Sequence, residues 1–541
     1  MSNSGTARPR PEPEGAAGAA TPPALDRQIA RNSILNLLGR FVYVLGWTLV
    51  APFMLHHLGP ERFGLWSLLT VVSGIYLAFD FGLSSALTKF VAEFRASGDR
   101  VALRGVFTTG AILYGVLSLL FVAAIALLRG PLLDLFRIPP ALRPEASAAL
   151  VMAAVVYGLL NAYMLMSSVL SGLHRIDLWN RISMVVTLVQ LFGVWAVLSL
   201  GGGLTALLLN TGVTLLLGTL LGHLTVRRLA PEIGLEVARI ELELVHRLTR
   251  YSAALQIVNL GVLFQFQLDK VLFGSMLSLT AVGSYEFGFR VTSALWAVPA
   301  LLLPPLLPAV AHLDAKGDRA RIVRLYRRAS RYVLAVAFPI SAAVIALAPV
   351  LFLAWLGPGH RDAALAATAL AAMLGVNILT GVGTAVARGV GRPGLEVRYQ
   401  VLAMALHLAL SLSLIPRFGF AGGLWALFLS TSVGSLYFLW LFHRYLGEPV
   451  GRFALEVLAR PLLAAAVAGA LAWWVAGSGD PGLESWTRSA ALVRLGTAGS
   501  LFLAVVAVLM LASGFLSLAE LRDLGGLVTG RRPVASGLAR G

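Results

Sequence analysis

Phe107 to Leu128 runs without one charged side chain, matching the roughly 20 residues a helix needs to cross about 30 Å of hydrocarbon. Comparable runs recur along the whole chain. Hydrocarbon holds no water to satisfy backbone polar groups, so such a chain folds as a bundle of membrane-spanning helices. Composition agrees: of 541 residues, 58% are apolar and 13% charged, with a mean hydropathy of +0.81. The apolar runs place fourteen spans near 33–57, 63–92, 105–128, 146–173, 180–200, 203–226, 250–275, 280–311, 331–356, 363–387, 395–416, 420–442, 460–477 and 491–513. The expected fold class is an all-α polytopic membrane protein.

The net charge of +17 is compatible with nucleic-acid binding until the charges are located. Tails and alternate loops on one side collect 32 of the 43 Lys and Arg, the opposite side 8, and 3 lie within spans. By the positive-inside rule the first side is cytoplasmic, and an even number of spans puts both termini there. The basic balance is topological, and no nucleic-acid partner is expected. The first residues, rich in Pro, Ala and Gly, lack the apolar core of a signal peptide and read as a disordered tail. Arg319, Arg321, Arg324, Arg327, Arg328 and Arg331 read as a solvated helix facing lipid headgroups.

The chain repeats itself. A shift of 219 places Arg31 on Arg250, Ser33 on Ser252, Gly64 on Gly283, and Ala96–Arg100 (ASGDR) on Ala315–Arg319 (AKGDR). Near-identical offsets carry Gly172 onto Gly389 and Gly203 onto Gly423. Six spans per copy is an even number, so the two copies are parallel, an arrangement found in secondary transporters. The expected division is a tail (1–30), an N lobe (31–226), an amphipathic cytoplasmic linker (227–249), a C lobe (250–445), two further helices (446–513) and a second tail (514–541).

Candidate site residues come from polar groups inside spans, which usually face a bundle interior or a watered cavity. At 100° per residue, Gln256, Asn259, Gln267 and Lys270 form one stripe on the seventh span. Asn36, Arg40, Tyr43 and Trp47 form a similar row on the first, and the 219 shift sets Arg40 on Asn259. Lys270 and Arg290 lie at equal distances from residue 280, which predicts similar depth. Glu286 and Arg290 are spaced to pair along one helix, and Asp269 is placed to join them. That leaves Lys270 without a partner, as a cation for a ligand; the alternative is neutralisation by Asp269 or snorkelling outward. Asp80 is an expected partner of Arg40. Gln190 and His407 coincide across the repeat and either line the cavity or bond between helices. With no cysteine, no P-loop, no HExxH and no triad, the residues suggest conformational work without a cofactor or metal.

Leu58–Leu69 (LGPERFGLWSLL), Asp80–Phe94 (DFGLSSALTKFVAEF) and Leu268–Val291 (LDKVLFGSMLSLTAVGSYEFGFRV) resemble the polysaccharide-transporter branch, the O-antigen-type oligosaccharide flippases, of the multidrug/oligosaccharidyl-lipid/polysaccharide superfamily. The likeness covers about residues 30–445, and the two extra helices are similar to those of lipid II flippases. It implies a polyprenyl-pyrophosphate-linked oligosaccharide moved across the bacterial cytoplasmic membrane between two lobes. Lys270, Arg290 and Arg40 match the family's cavity cations. Membrane lipids are implied partners, and glycan polymerase or ligase machinery is a candidate one. Two other readings stay open: a cation-coupled drug exporter, which needs an uncompensated cavity carboxylate, and a membrane glycosyltransferase or polymerase, which needs longer outer loops.

Overall fold

The computed structural model describes residues 45–71, 82–234 and 267–515. Asn36, Arg40, Asp80, Gln256, Asn259 and most of the linker lie outside the described residues. Every element in the described parts is helical. We number them α1 (45–71), α2 (Leu83–Ser97), α3 (Arg100–Leu135), α4 (Arg143–Gly172), α5 (Ile176–Ser199), α6 (Leu204–Leu229), α7 (267–276), α8 (Leu279–Ala300), α9 (Leu306–Ala315), α10 (Arg319–Trp355), α11 (Arg361–Gly389), α12 (Gly394–Leu446), α13 (Val450–Ala476) and α14 (Arg488–Ala512). Among the described residues, nine segments are long and apolar enough to cross a membrane. The outward faces carry bare leucines, such as Leu127 at 81% exposure and Leu463 at 64%, a surface stable only against lipid tails.

Helix ends follow local chemistry. The repeated G-D-R sequence is a stop and a start: Gly98 and Gly317 take φ of +72° and +68°, ending α2 and α9. Asp99 and Asp318 then cap α3 and α10, their carboxylates accepting from the Ala102 and Arg321 amides at 2.9 and 3.0 Å. Glycine adopts that left-handed conformation without the Cβ clash, and the aspartates satisfy amides that have no intrahelical partner. These caps lie outside the apolar runs, so α3 and α10 extend past the expected 105–128 and 331–356. Gly59, at φ +76°, divides α1 at the expected first turn. Within α12, Gly419 (φ 56°, ψ −135°) turns the chain back. Its two arms pack together, with the Tyr399 and Phe438 rings 5.1 Å apart, which reproduces the eleventh and twelfth spans.

The eighth span differs from expectation. It is not one helix over 280–311: α8 ends at Ala300 and α9 begins at Leu306. Pro304 and Pro305 have no amide hydrogen to donate, and their rings clash with the preceding turn.

Packing runs in parallel sets. α4 lies against α2, α3, α5 and α6; α11 lies against α8, α9, α10 and α12; α13 and α14 pack on each other and on α10. The match between the two central helices is atomic. A Cβ on Gly172 at the end of α4 would stand 2.7 Å from Val91 Cβ, and one on Gly389 at the end of α11 would stand 2.7 Å from Val310 Cβ. Gly172→Ala and Gly389→Ala should therefore each lower thermal stability in detergent, by about 1–3 kcal/mol for an overpacked contact. Gly115→Ala, with open space around it, is the control. Stability unchanged in either close-packed variant would contradict this packing.

Candidate functional site

α7 and α8 form a tight hairpin. The Phe273 carbonyl accepts from the Leu277 and Ser278 amides at 2.9 and 3.1 Å, and Ser278 Oγ caps α8 by accepting from the Ala281 amide at 3.2 Å. The turn is therefore centred on residues 277–278, about two residues earlier than the spacing around 280 suggests. That shift brings Glu286 level with Lys270 and sets Arg290 one helical turn further along.

The expectation that Lys270 lacks a partner is thus corrected. Lys270 Nζ lies 2.6 Å from Glu286 Oε2, and Arg290 Nε lies 2.8 Å from Glu286 Oε1, so one carboxylate holds two cations. Lys270 is only 3% exposed, and its ammonium sits 5.5 Å from the centre of the Phe289 ring. Asp269 joins neither Lys270 nor the Glu286–Arg290 pair. Successive helical residues point about 100° apart, and Asp269 faces Tyr285 and His407 instead. The Tyr285 hydroxyl donates to Asp269 Oδ2 at 2.9 Å, and His407 Nε2 of α12 lies 3.0 Å from Oδ1. All five of Lys270, Asp269, Tyr285, Glu286 and His407 are buried. Gln267 belongs to the same hairpin, and its Oε1 is buried with no hydrogen-bond donor among the described residues.

Tyr285 was not visible as a partner from sequence, although a turn at 277–278 makes it the residue opposite Asp269. His407 was visible only as the repeat mate of Gln190. Both face a neighbouring helix: Gln190 Nε2 donates to Thr211 Oγ1 at 3.4 Å, and His407 Nε2 approaches Asp269 Oδ1.

The cluster reaches the first half of the chain. Arg290 Nη1 donates to the Trp47 carbonyl at 3.4 Å, and its guanidinium carbon lies 5.6 Å from the Trp47 ring. Nearby, the Phe63 and Phe287 rings stack at 4.4 Å and 8°. Gly64 and Gly283, mates under the 219 shift, meet here: a Cβ on Gly283 would stand 3.5 Å from Gly64 Cα. A Cβ on Gly64 would stand 1.9 Å from the Leu279 carbonyl oxygen. Arg137 adds a bond to the Met276 carbonyl at 3.4 Å. These contacts between the halves gather at the end bearing the Gly59 and Leu277–Ser278 turns.

At the other end, the basic row of α10 is not simply solvated. Arg327 pairs with Glu448 and Glu456, Arg319 bonds the Tyr445 carbonyl, and Arg331 bonds the Phe515 carbonyl. Arg321, Arg324 and Arg328 are exposed. Among the described residues no group of His, Cys, Asp or Glu is arranged to hold a metal.

Chemically, two buried cations share one carboxylate, and a dianion could engage them only by displacing Glu286 from one of them. Residues 29–313 match the family described as "Polysaccharide biosynthesis protein". A probable low-salt glycan biosynthesis flippase, Agl15, of Haloferax volcanii is 23% identical over 417 residues, covering 75% of this chain and 82% of that protein. An inward-facing multidrug resistance MATE family transporter of the MOP superfamily superposes with a TM-score of 0.62 at 16% identity, over 77% of this chain and 98% of the other. The lipid II flippase MurJ, in an inward closed conformation, superposes at 0.61 and 11% identity, over 89% and 99%.

Proposed function

Because this chain belongs to the polysaccharide biosynthesis protein family, we propose that it is a flippase for a polyprenyl-pyrophosphate-linked oligosaccharide, moving it from the cytoplasmic to the outer leaflet of the bacterial inner membrane. The observation that carries the reading is the Lys270–Glu286–Arg290 cluster, buried where the two halves meet. A pyrophosphate brings at least two negative charges, and no group in a bilayer tolerates them unpaired. Lys270 and Arg290 supply the cations; Gln267, with Asn36, Arg40, Gln256 and Asn259, would line the path of the sugar. The names of Agl15 and MurJ agree with this substrate class.

The competing drug-exporter reading needs a free carboxylate for a cationic cargo. In the cluster, Glu286 is held by two cations and Asp269 by a tyrosine and a histidine, which favours an anionic cargo. The protein works as a transporter rather than an enzyme, with both termini cytoplasmic and lobes at 31–226 and 250–445 rocking about the cluster. In this orientation the Phe63–Phe287 contact closes the outer end. Polymerase or ligase machinery would receive the delivered glycan.

The test is reconstitution of the purified chain in liposomes with a fluorescent polyprenyl-pyrophosphate oligosaccharide, read by outer-leaflet quenching. Transfer should exceed that of protein-free liposomes by at least tenfold. Transfer no faster than in empty liposomes, from a folded and correctly inserted protein, would defeat the reading.

A further inference from the structure

Between α10, α11 and α13 lies a groove of about 560 Å³, within the roughly 300–1,000 Å³ of small-molecule sites. Small side chains make the room: Ala342 and Ala346 of α10, Ala372 and Gly375 of α11, and Ala465 and Gly469 of α13 all line it. A Cβ on Gly469 would stand 3.4 Å from Ala342 Cβ, so α13 touches α10 there and leaves the void beside the contact. Along α13 the lining runs from Leu458 to Trp473, about 22 Å at 1.5 Å per residue. That exceeds one leaflet's share of the roughly 30 Å of hydrocarbon. The groove opens sideways, since Ile345, Leu462 and Trp473 line it and are 38%, 46% and 46% exposed. Apart from Ser341 and the indole nitrogen of Trp473, the described side chains lining it are hydrocarbon, so in a bilayer a lipid chain fills it.

The charges on α10 identify what that chain is attached to. At 100° per residue, Arg324, Arg331, Phe338, Ala342 and Ile345 fall within about 40° of one line along the helix. One stripe thus carries arginines at one end and groove lining at the other. Arg327 shares the line and pairs with Glu448 and Glu456, and Glu456 stands at the foot of α13, which sets the arginines at the Leu458 end. At the Trp473 end, Ser478 Oγ donates to the Ala346 carbonyl at 2.7 Å. From Tyr332 to Trp355 the helix carries no charge, and Tyr332 marks the interface, where aromatic rings collect. The Arg328 guanidinium carbon lies 6.0 Å from the centre of that ring. Arg328 therefore stands about one turn, and Arg324 about two turns, outside the hydrocarbon. Both are exposed.

We propose that this groove holds one anionic phospholipid, with an acyl chain between α10, α11 and α13 and its phosphate against Arg324 and Arg328. Charge-assisted hydrogen bonds from a guanidinium suit a phosphate, and the stripe places them at the mouth of the groove. None of the lining residues belongs to α7 or α8, the helices of the Lys270–Glu286–Arg290 cluster. The groove therefore serves a resident lipid, not the chain of a transported one. The bound acyl chain fastens α13 to α10 and α11 across the gap that the small residues leave.

The test uses phospholipids with brominated chains, which quench a nearby indole. Full-length protein in detergent is titrated with brominated phosphatidylglycerol or phosphatidylcholine, and the part of the quenching that is lost in Trp473→Phe reports the groove. Phosphatidylglycerol should saturate this signal at a single lipid per chain and bind about tenfold more tightly than phosphatidylcholine, as juxtamembrane arginines favour an anionic headgroup. Arg324→Gln/Arg328→Gln, at two exposed positions, should bring the two affinities together. Ala466→Phe/Ala470→Phe enlarges two exposed residues of the lining and should abolish the saturable signal. Should that variant fail to fold, the arginine variant decides by itself. Equal affinities in wild type, an unchanged preference in the arginine variant, or quenching that never saturates overturns the proposal. So does displacement of phosphatidylglycerol by equimolar undecaprenyl pyrophosphate, which would assign the groove to a transported lipid.

Discussion

Gly64→Val should cut glycan export by about a hundredfold, with Gly64→Ala intermediate. A Cβ at this position would lie 1.9 Å from the Leu279 carbonyl oxygen, which is backbone and cannot rotate away as a side chain would. The turn-bearing ends of α1 and α8 must then separate, and overpacking of this kind costs about 1–3 kcal/mol. Each 1.4 kcal/mol is tenfold in a population, so the state closed at Phe63 and Phe287 becomes rare. Transport that alternates between two states slows when either is depleted. The reading is export in a strain lacking the endogenous copy, normalised to membrane-inserted protein. Gly115→Ala should leave export unchanged, and normal export by Gly64→Val would mean that close approach of Gly64 and Leu279 is not used.

Glu286→Gln should be more damaging to the protein than Lys270→Met, because it leaves Lys270 and Arg290 buried beside each other with no compensating anion. Removing one member of a buried charge pair costs about 3–5 kcal/mol, enough to deplete the protein from the membrane. Lys270→Met/Glu286→Gln removes both charges of the closer pair and should restore abundance, with Arg290 still bonded to Trp47. Export should stay absent in that double variant if Lys270 contacts the pyrophosphate. Wild-type export by a well-folded double variant would show that the lysine serves only to neutralise Glu286. Asp269→Asn combined with Lys270→Ala does not make this test, since Asp269 pairs with Tyr285 and His407.

The fold was largely legible because bilayer physics acts on composition. Runs such as Phe107–Leu128 report the hydrocarbon crossing without any tertiary information, whereas the helix starts at Arg100 and Arg319, set by Asp99 and Asp318, precede the expected 105 and 331 because a cap does not register as hydropathy. The break between α8 and α9 was hidden in a run whose apolar character is continuous across Pro304 and Pro305; hydropathy does not register a missing amide hydrogen. Family membership was also legible, since it follows the order of weak motifs along residues 29–313.

The site was legible only as a set of residues. Lys270, Asp269, Glu286 and Arg290 stood out because charges are rare within spans, but their pairing depends on where the hairpin turns, and two residues of register exchange one partner for another. Glu286 is level with Lys270 because the chain reverses at Leu277 and Ser278, and His407 reaches Asp269 because α12 packs against that hairpin from more than a hundred residues away. The sequence by itself determined that charges would be buried in a membrane bundle built from two parallel copies, since burial and repetition are written along the chain. Only the tertiary structure decided which charge neutralises which, because a hydrogen bond is fixed by distances of a few tenths of an ångström between elements, and no local preference encodes them.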